Sequence, residues 1–180
     1  MPNRWTFKIK PIKQLLDRYI DQENLWIDPF AGKNSPAKIT NDLDVSLNTT
    51  YDIDALTFLK GYGDNSVCGI LYDPPFSPAQ ADWCYVGTNL YKRNTEFWKY
   101  MSSCRKEIAR ISEANGIVIC FGFNSGGIGK KYGFNIEEIL LVPHGINRND
   151  TIVTVERKLE KNSGRRQVNH EPVYHYREFT

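Results

Sequence analysis

The chain has 180 residues, a formal net charge of +2, 41% hydrophobic and 24% charged side chains, the ordinary composition of one globular domain with a sizeable core. No apolar run approaches the roughly 18 residues of a membrane span, and Met1-Pro2-Asn3-Arg4-Trp5 lacks the apolar segment of a secretory signal, so the expectation is a soluble, cytoplasmic protein with no membrane partner. Cys68, Cys84, Cys104 and Cys120 form no Cys-x-x-Cys pair and the three histidines add no ligand spacing, which points to buried free thiols and to no metal site.

Charge is spread unevenly. Residues 21–90 hold ten acidic and three basic side chains, residues 91–180 fifteen basic and ten acidic. That division fits a cationic ligand bound early and a polyanion bound late, and a solvated mixed surface fits it too.

In chain order, Lys10 to Ile20 reads as a helix opened by Pro11, with Ile12, Leu15, Leu16, Tyr19 and Ile20 on one apolar stripe. Asn24 to Asp28 is a short buried strand ending in a carboxylate, and Pro29-Phe30-Ala31-Gly32 is a turn where a ligand can approach the backbone. Lys38 to Asp42 is a second strand ending in acid. Only seven residues separate Gly32 from Thr40, whereas a parallel crossover takes about a dozen or more and normally a helix. The first crossover helix is therefore expected to be stunted or missing.

Tyr51 to Asp54 reads as a brief strand and Ala55 to Lys60 as a helix closed by Gly61. Gly69-Ile70-Leu71-Tyr72 then climbs to Asp73-Pro74-Pro75-Phe76. Two prolines fix φ and remove two N–H groups, so this segment is extended and rigid with carbonyls free to accept. A carboxylate, a free carbonyl and the Phe76 ring, held still, suit a planar heterocycle bearing an –NH₂ group. By itself the tetrapeptide also fits a turn that ends a strand.

A loop is expected from Ser77 to about Arg93, rich in Trp and Tyr. Residues 94–114 carry Phe97, Met101, Cys104, Ile108 and Ile111 at helical spacing, closed by Asn115-Gly116. Gly116 to Phe121 is a buried strand followed by the glycine-rich loop Phe123 to Gly127. Ile136 to Val142 and Thr151 to Val155 read as an antiparallel pair, and His144 between them as a hairpin residue. Beyond Lys158 the chain turns polar and basic.

Strands alternating with helices and closed by a β-pair indicate an α/β fold with an open, mostly parallel sheet and a C-terminal antiparallel β-pair. Ligands bind outside the carboxyl ends of such strands, and Asp28, Asp42, Asp54 and Asp73 all fall at or just beyond those ends.

With these residues in place the chain resembles the amino-group DNA methyltransferases (adenine N6 and cytosine N4) that use S-adenosylmethionine. Asp73-Pro74-Pro75-Phe76 matches their catalytic Asp-Pro-Pro-aromatic signature, and Asp28-Pro29-Phe30-Ala31-Gly32 their cofactor loop. Lys10-Pro11 is similar to the segment that closes over the methionine end of the cofactor. Asp42, and Asp54 with Ala55, fall where the family places its ribose and adenine contacts. The likeness spans roughly residues 5–158 and implies a Rossmann-like methyltransferase domain over 1–158, with 159–180 a basic tail and no separate domain. Two departures stand out: the cofactor loop continues Gly32-Lys33-Asn34-Ser35 where the family usually has Gly-Ser-Gly, and the chain has no room for a sizeable target-recognition region. In that respect it looks like small phage-type members.

The resemblance implies methyl transfer to an exocyclic base amine, with Asp73 and the Pro74 carbonyl accepting the two N–H bonds, Phe76 stacked on the base, and the base flipped from any duplex. No cysteine follows a proline, which argues against carbon-5 cytosine chemistry. Asp at the head of the motif favours adenine over cytosine. The implied partner is nucleic acid, DNA before RNA, and a protein partner could supply target recognition. Lys92, Arg93 and Arg148 are candidate phosphate contacts and Asn124 a candidate base contact; solvated loop charges and a glycine-flanked turn account for them equally. The competing readings are an RNA base-amine methyltransferase, and a non-catalytic nucleic-acid-binding or partner subunit that kept the fold.

Overall fold

A computed structural model describes residues 6–85, 94–145, 149–160 and 173–175. Seven strands form one sheet: β1 (Trp26–Asp28), β2 (Ile39–Thr40), β3 (Val67–Tyr72), β4 (Ser112–Gly122), β5 (Phe134–Val142), β6 (Thr151–Lys158) and β7 (Val173–His175), in the order β2-β1-β3-β4-β6-β5-β7. The first four run parallel, β6 is antiparallel to both β4 and β5, and β7 lies parallel on β5. This is the open, mostly parallel sheet with an antiparallel pair that the sequence pattern implies. Four helices accompany it among the described residues: α1 (Lys10–Tyr19), α2 (Ala55–Lys60), α3 (Pro78–Cys84) and α4 (Asn94–Ile111).

The two-residue period of β3 and β4 sorts their side chains onto two faces. Ile70, Tyr72, Val118 and Cys120 pack with Phe58 of α2 and with Phe97, Met101, Cys104 and Ile108 of α4. Leu71, Ile119 and Phe121 face the other way, onto Trp26 and the Ile12, Leu15 and Leu16 stripe of α1. Trp26 pairs with Gly69 in the register of β1 and β3, and its ring fills the space a side chain at 69 would need.

The parallel step from β1 to β2 has no helix between Lys33 and Lys38. Side chains hold this connection instead. Asn41, fully buried, donates to the Pro29 and Ile53 carbonyls (3.1 and 3.0 Å) and accepts from the Ile53 N–H.

Four local expectations need correction. Tyr51 to Asp54 is not a strand: a single bridge links Tyr51 to Asn41. The expected loop after the Asp-Pro-Pro motif contains α3, started by Pro78 and capped by the Ser77 hydroxyl, which accepts from the Gln80 N–H. The helix expected to reach residue 114 stops at Ile111. The carbonyls of Arg110 and Ile111 are taken by the Asn65 and Ser66 N–H groups leading into β3, and Lys158 Nζ takes those of Ala109 and Ser112. Asn115, at φ 64, does form its turn, but inside a bulge of β4, where pairing with β3 skips from Ser112 to Ile117. Finally, Cys104 and Cys120 are buried, but Cys68 is only half-buried and Cys84 is exposed. No helix among the described residues is long and apolar enough to cross a membrane.

Candidate active site

The carboxyl ends of β1, β2 and β3 bring Asp28, Asp42 and Asp73 together, all buried. Each of the first two closes a loop. Asp28 accepts from the Phe30 N–H (3.0 Å) and the Ser35 hydroxyl (2.7 Å); Asp42 accepts from the Gly32 N–H (2.9 Å) and the Asp44 N–H (3.0 Å). The turn Pro29-Phe30-Ala31-Gly32 is thus sewn from both sides. Gly32 and Asn34 sit at φ 53 and 67, where glycine and asparagine are the favoured residues.

Burial penalises all three charges. It pushes the Asp28 carboxyl up to about 7, with the Asp42 charge adding to it, and raises that of Asp42 as well. Asp73 rises to about 8 through burial first and the Asp28 charge second.

Asp73 differs in its bonding. The hydroxyl of Thr6, in the turn before α1, donates to the carboxylate, while Oδ1 is buried and has no hydrogen-bond partner among the described residues. A buried acceptor left open in this way costs about 1–3 kcal/mol unless something donates to it.

Asp54 lies further along the rim as the cap of α2. It accepts from the Thr57 N–H (2.9 Å) and from the Tyr100 hydroxyl of α4 (2.6 Å). Pro29, Phe30, Asp54 and Ala55, four of the residues assigned to the cofactor by resemblance, line one narrow hollow with Asn41 and Tyr100. Lys10 is exposed at the start of α1.

A second cleft, of about 100 Å³, is lined by Tyr72 and Pro74, the chain neighbours of Asp73, though not by Asp73 itself. Pro74, Pro75, Phe76 and Asn124 line it as the sequence suggests, together with Trp98 and Arg105 of α4. Phe76 meets Phe123 edge to face at 5.8 Å. Phe30 in the first hollow and Tyr72 in the second cleft are also in edge contact, at 5.8 Å. The two spaces therefore lie back to back across one aromatic pair, with Asp73 next to it in the chain. Asn124 turns its Oδ1 to the Gly126 N–H (2.9 Å). The loop after it is pinned by the fully buried Glu156 of β6, which accepts from the Ile128 and Gly129 N–H groups.

Lys92, Arg93 and Arg148 lie outside the described residues. Thr6, Trp98, Arg105 and Glu156 were not singled out from sequence. Trp98, Met101 and Arg105 recur at i, i+3 and i+7 on one face of α4, a signal that was available. Nothing local ties Thr6 or Glu156 to this place. His144 bonds through Nε2 to the Thr151 hydroxyl (2.7 Å), as a hairpin residue would.

No protein-family model matches the chain, and no curated protein does. Solved structures do. A 1,6-didemethyltoxoflavin-N1-methyltransferase from Burkholderia thailandensis, with bound S-adenosylhomocysteine, superimposes with a TM-score of 0.54 at 12% identity, over 84% of this chain and 78% of that one. A SAM-dependent methyltransferase from Methanosarcina mazei gives 0.53 at 10% identity, over 81% and 97%. TrmN from Thermus thermophilus gives 0.52 at 17% identity, over 82% of this chain but only 48% of that one, so here the chain spans about half the length of the protein it resembles. The fold of this chain is the Rossmann-like fold of these methyltransferases.

Proposed function

We propose that the chain transfers a methyl group from S-adenosylmethionine to the exocyclic amine of a nucleic-acid base, with adenine N6 of DNA as the target. The observation that carries this reading is Asp73 Oδ1: a buried acceptor without a donor, followed directly by the prolines that line a flat-walled cleft. In this reading an –NH₂ group entering beside Pro74 reaches past the cleft wall to supply the missing donor. The cofactor is assigned to the narrow hollow, of about 10 Å³, because its walls include Phe30, Asp54 and Ala55 and its turn is fixed by hydrogen bonds to Asp28 and Asp42; the ligand would have to widen it on binding.

When bound, S-adenosylmethionine supplies an electrophilic methyl group on a positively charged sulfur. The chain's own part is to prepare the amine. An aromatic amine is a weak nucleophile because its lone pair is delocalised into the ring. Asp73 and the Pro74 carbonyl accept its two N–H bonds, draw the nitrogen toward tetrahedral and localise the pair, while Phe76 stacks on the ring. The nitrogen–carbon bond forms as the carbon–sulfur bond breaks. The proton then shed by nitrogen passes to Asp73, whose raised basicity lets it hold a proton near neutral pH. In a duplex the base must leave the stack, at a cost of about a few kcal/mol.

The test is transfer of a tritiated methyl group to DNA, RNA and free adenosine in parallel, with identification of the methylated atom. The expected product is N6-methyladenine in DNA. Asp73→Ala should lower the rate by at least about a hundredfold while calorimetry still shows S-adenosylhomocysteine bound. Full transfer by that variant would remove Asp73 from the chemistry, and label appearing only in RNA would move the target.

A further inference from the structure

Positive and aromatic side chains lie beside the second cleft on α4 and on the turn bonded to it. Trp98 lines the cleft yet is 50% exposed, and so is Phe123 across from it at 52%. Two large aromatic faces are thus left in water beside one cleft, where they are open to stacking. One helical turn beyond Trp98, the Ser102 hydroxyl bonds the Tyr132 hydroxyl at 3.1 Å, which joins α4 to the 3₁₀ turn Lys130–Tyr132. Lys131 lies over the Tyr132 ring at 4.7 Å. Lys106, one turn beyond Ser102, also acts on Tyr132: both lysines favour its ionised form, after the Ser102 bond. Lys106, Lys130 and Lys131 are exposed, and among the described residues none of them pairs with a carboxylate. The carboxylates nearby are committed elsewhere: Glu107 to Arg110, and Glu156 to the loop beneath.

We infer that this strip is the docking surface for an unpaired nucleic-acid strand, with the base next to the target stacked on Trp98 and phosphates held by Lys106, Lys130 and Lys131. The inference rests on the proposed function and deepens it. An aromatic plate beside a row of unpaired cations is how a strand is held without reading its sequence, because every base has a flat face and every linkage a charge. The strip also begins at the cleft itself, so a strand following it passes one base in beside Pro74, Pro75 and Phe76. Sequence placed the phosphate contacts in the segments around Lys92 and Arg148; the strip is a separate set, from α4 and the turn before β5.

The experiment is fluorescence anisotropy with a labelled 20-nucleotide single strand, titrated over a range of salt. The wild-type chain should show a steep loss of affinity with salt. Lys106→Ala, Lys130→Ala and Lys131→Ala combined should flatten the log–log slope by about 2, since the counterions released at each neutralised strand phosphate contribute roughly 0.7. Trp98→Ala should weaken binding about tenfold with the slope unchanged. Both variants change exposed side chains, and calorimetric binding of S-adenosylhomocysteine should match the wild type, which verifies the fold. A wild-type slope in the triple variant, or full affinity in Trp98→Ala, would overturn the surface while leaving methyl transfer intact. Binding with no label transferred to any strand would overturn the proposed function and leave the surface standing. A wild-type chain that binds neither single strand nor duplex would overturn the surface together with the nucleic-acid reading.

Discussion

Asp28 and Asp73 end adjacent parallel strands and share one buried space, so their protonation is linked to folding and to chemistry alike. Both carboxyls titrate in the folded chain well above the value near 3.9 they have when unfolded, at about 7 and about 8. Between those limits the folded chain binds more protons than the unfolded one, so this contribution is complete below about pH 4 and is lost as pH rises through 7 and 8. Asp28→Asn tests the first carboxyl cleanly. The amide oxygen still accepts from the Phe30 N–H, and the amide nitrogen can donate to the Ser35 hydroxyl, so the loop keeps both bonds. The urea midpoint of Asp28→Asn should fall less than that of the wild type between about pH 6 and pH 9; parallel curves would mean Asp28 ionises normally. In the proposed mechanism Asp73 governs the rate. Its protonated form cannot receive the amine proton, so kcat/KM for S-adenosylmethionine, which reports the free enzyme, should rise about tenfold per pH unit and level off near 8. A profile flat from pH 6 upward would show that the ionised form is already dominant.

Strands and helices here were legible wherever the signal is local. The Pro11 start of α1, the Gly61 end of α2 and the missing helix between β1 and β2 each follow from a few neighbouring residues. The misreadings arise where distant chain decides. The apolar pattern of α4 runs on past Ile111, but Asn65, Ser66 and Lys158 claim its last carbonyls and turn Ser112 into strand. β7 adds to β5 from a stretch whose polar composition announces no strand. In α3 the Ser77-Pro78 start was visible in sequence but was overshadowed by the aromatic residues after it. Register too is set by a contact no local rule contains. A Cβ on Gly69 would stand 2.2 Å from the Trp26 ring, and that ring is buried between β3 and α1 with no room to retreat. Gly69→Ala should therefore cost about 1–3 kcal/mol of unfolding free energy, as overpacked cores do, seen as a lower urea midpoint. Trp26→Phe combined with it should recover part of that loss, because the smaller ring vacates the collision.

Across the described residues, the proposed site divides along the sequence as the charges do. The acidic first half supplies the carboxyl ends of β1, β2 and β3, and the basic second half supplies α4, which lines the cleft, and the turn before β5 that is bonded to it. The Asp73-Pro74-Pro75-Phe76 tetrapeptide and the Asp28 to Gly32 turn were legible because each is contiguous, and Asn124 because a glycine-rich loop follows a buried strand; Trp98 and Arg105 were not, since they meet Phe76 only through folding. This division has a consequence for ligand binding that charge alone decides. S-adenosylmethionine and S-adenosylhomocysteine share every contact except the methyl group and the positive charge on sulfur. If the sulfur lies by Asp28 and Asp73, the cation is favoured only when those carboxyls are ionised. Either ligand at a hundred times its dissociation constant adds about 2.7 kcal/mol, or roughly 5–10 °C in melting temperature for a domain of this size. At equal concentration and about pH 9, S-adenosylmethionine should stabilise more than S-adenosylhomocysteine, and near pH 6 the gap should close as the carboxyls at about 7 and about 8 take up protons. Melting curves that show the same gap at both pH values would place the sulfonium away from this acidic pair, and with it the methyl group away from Asp73.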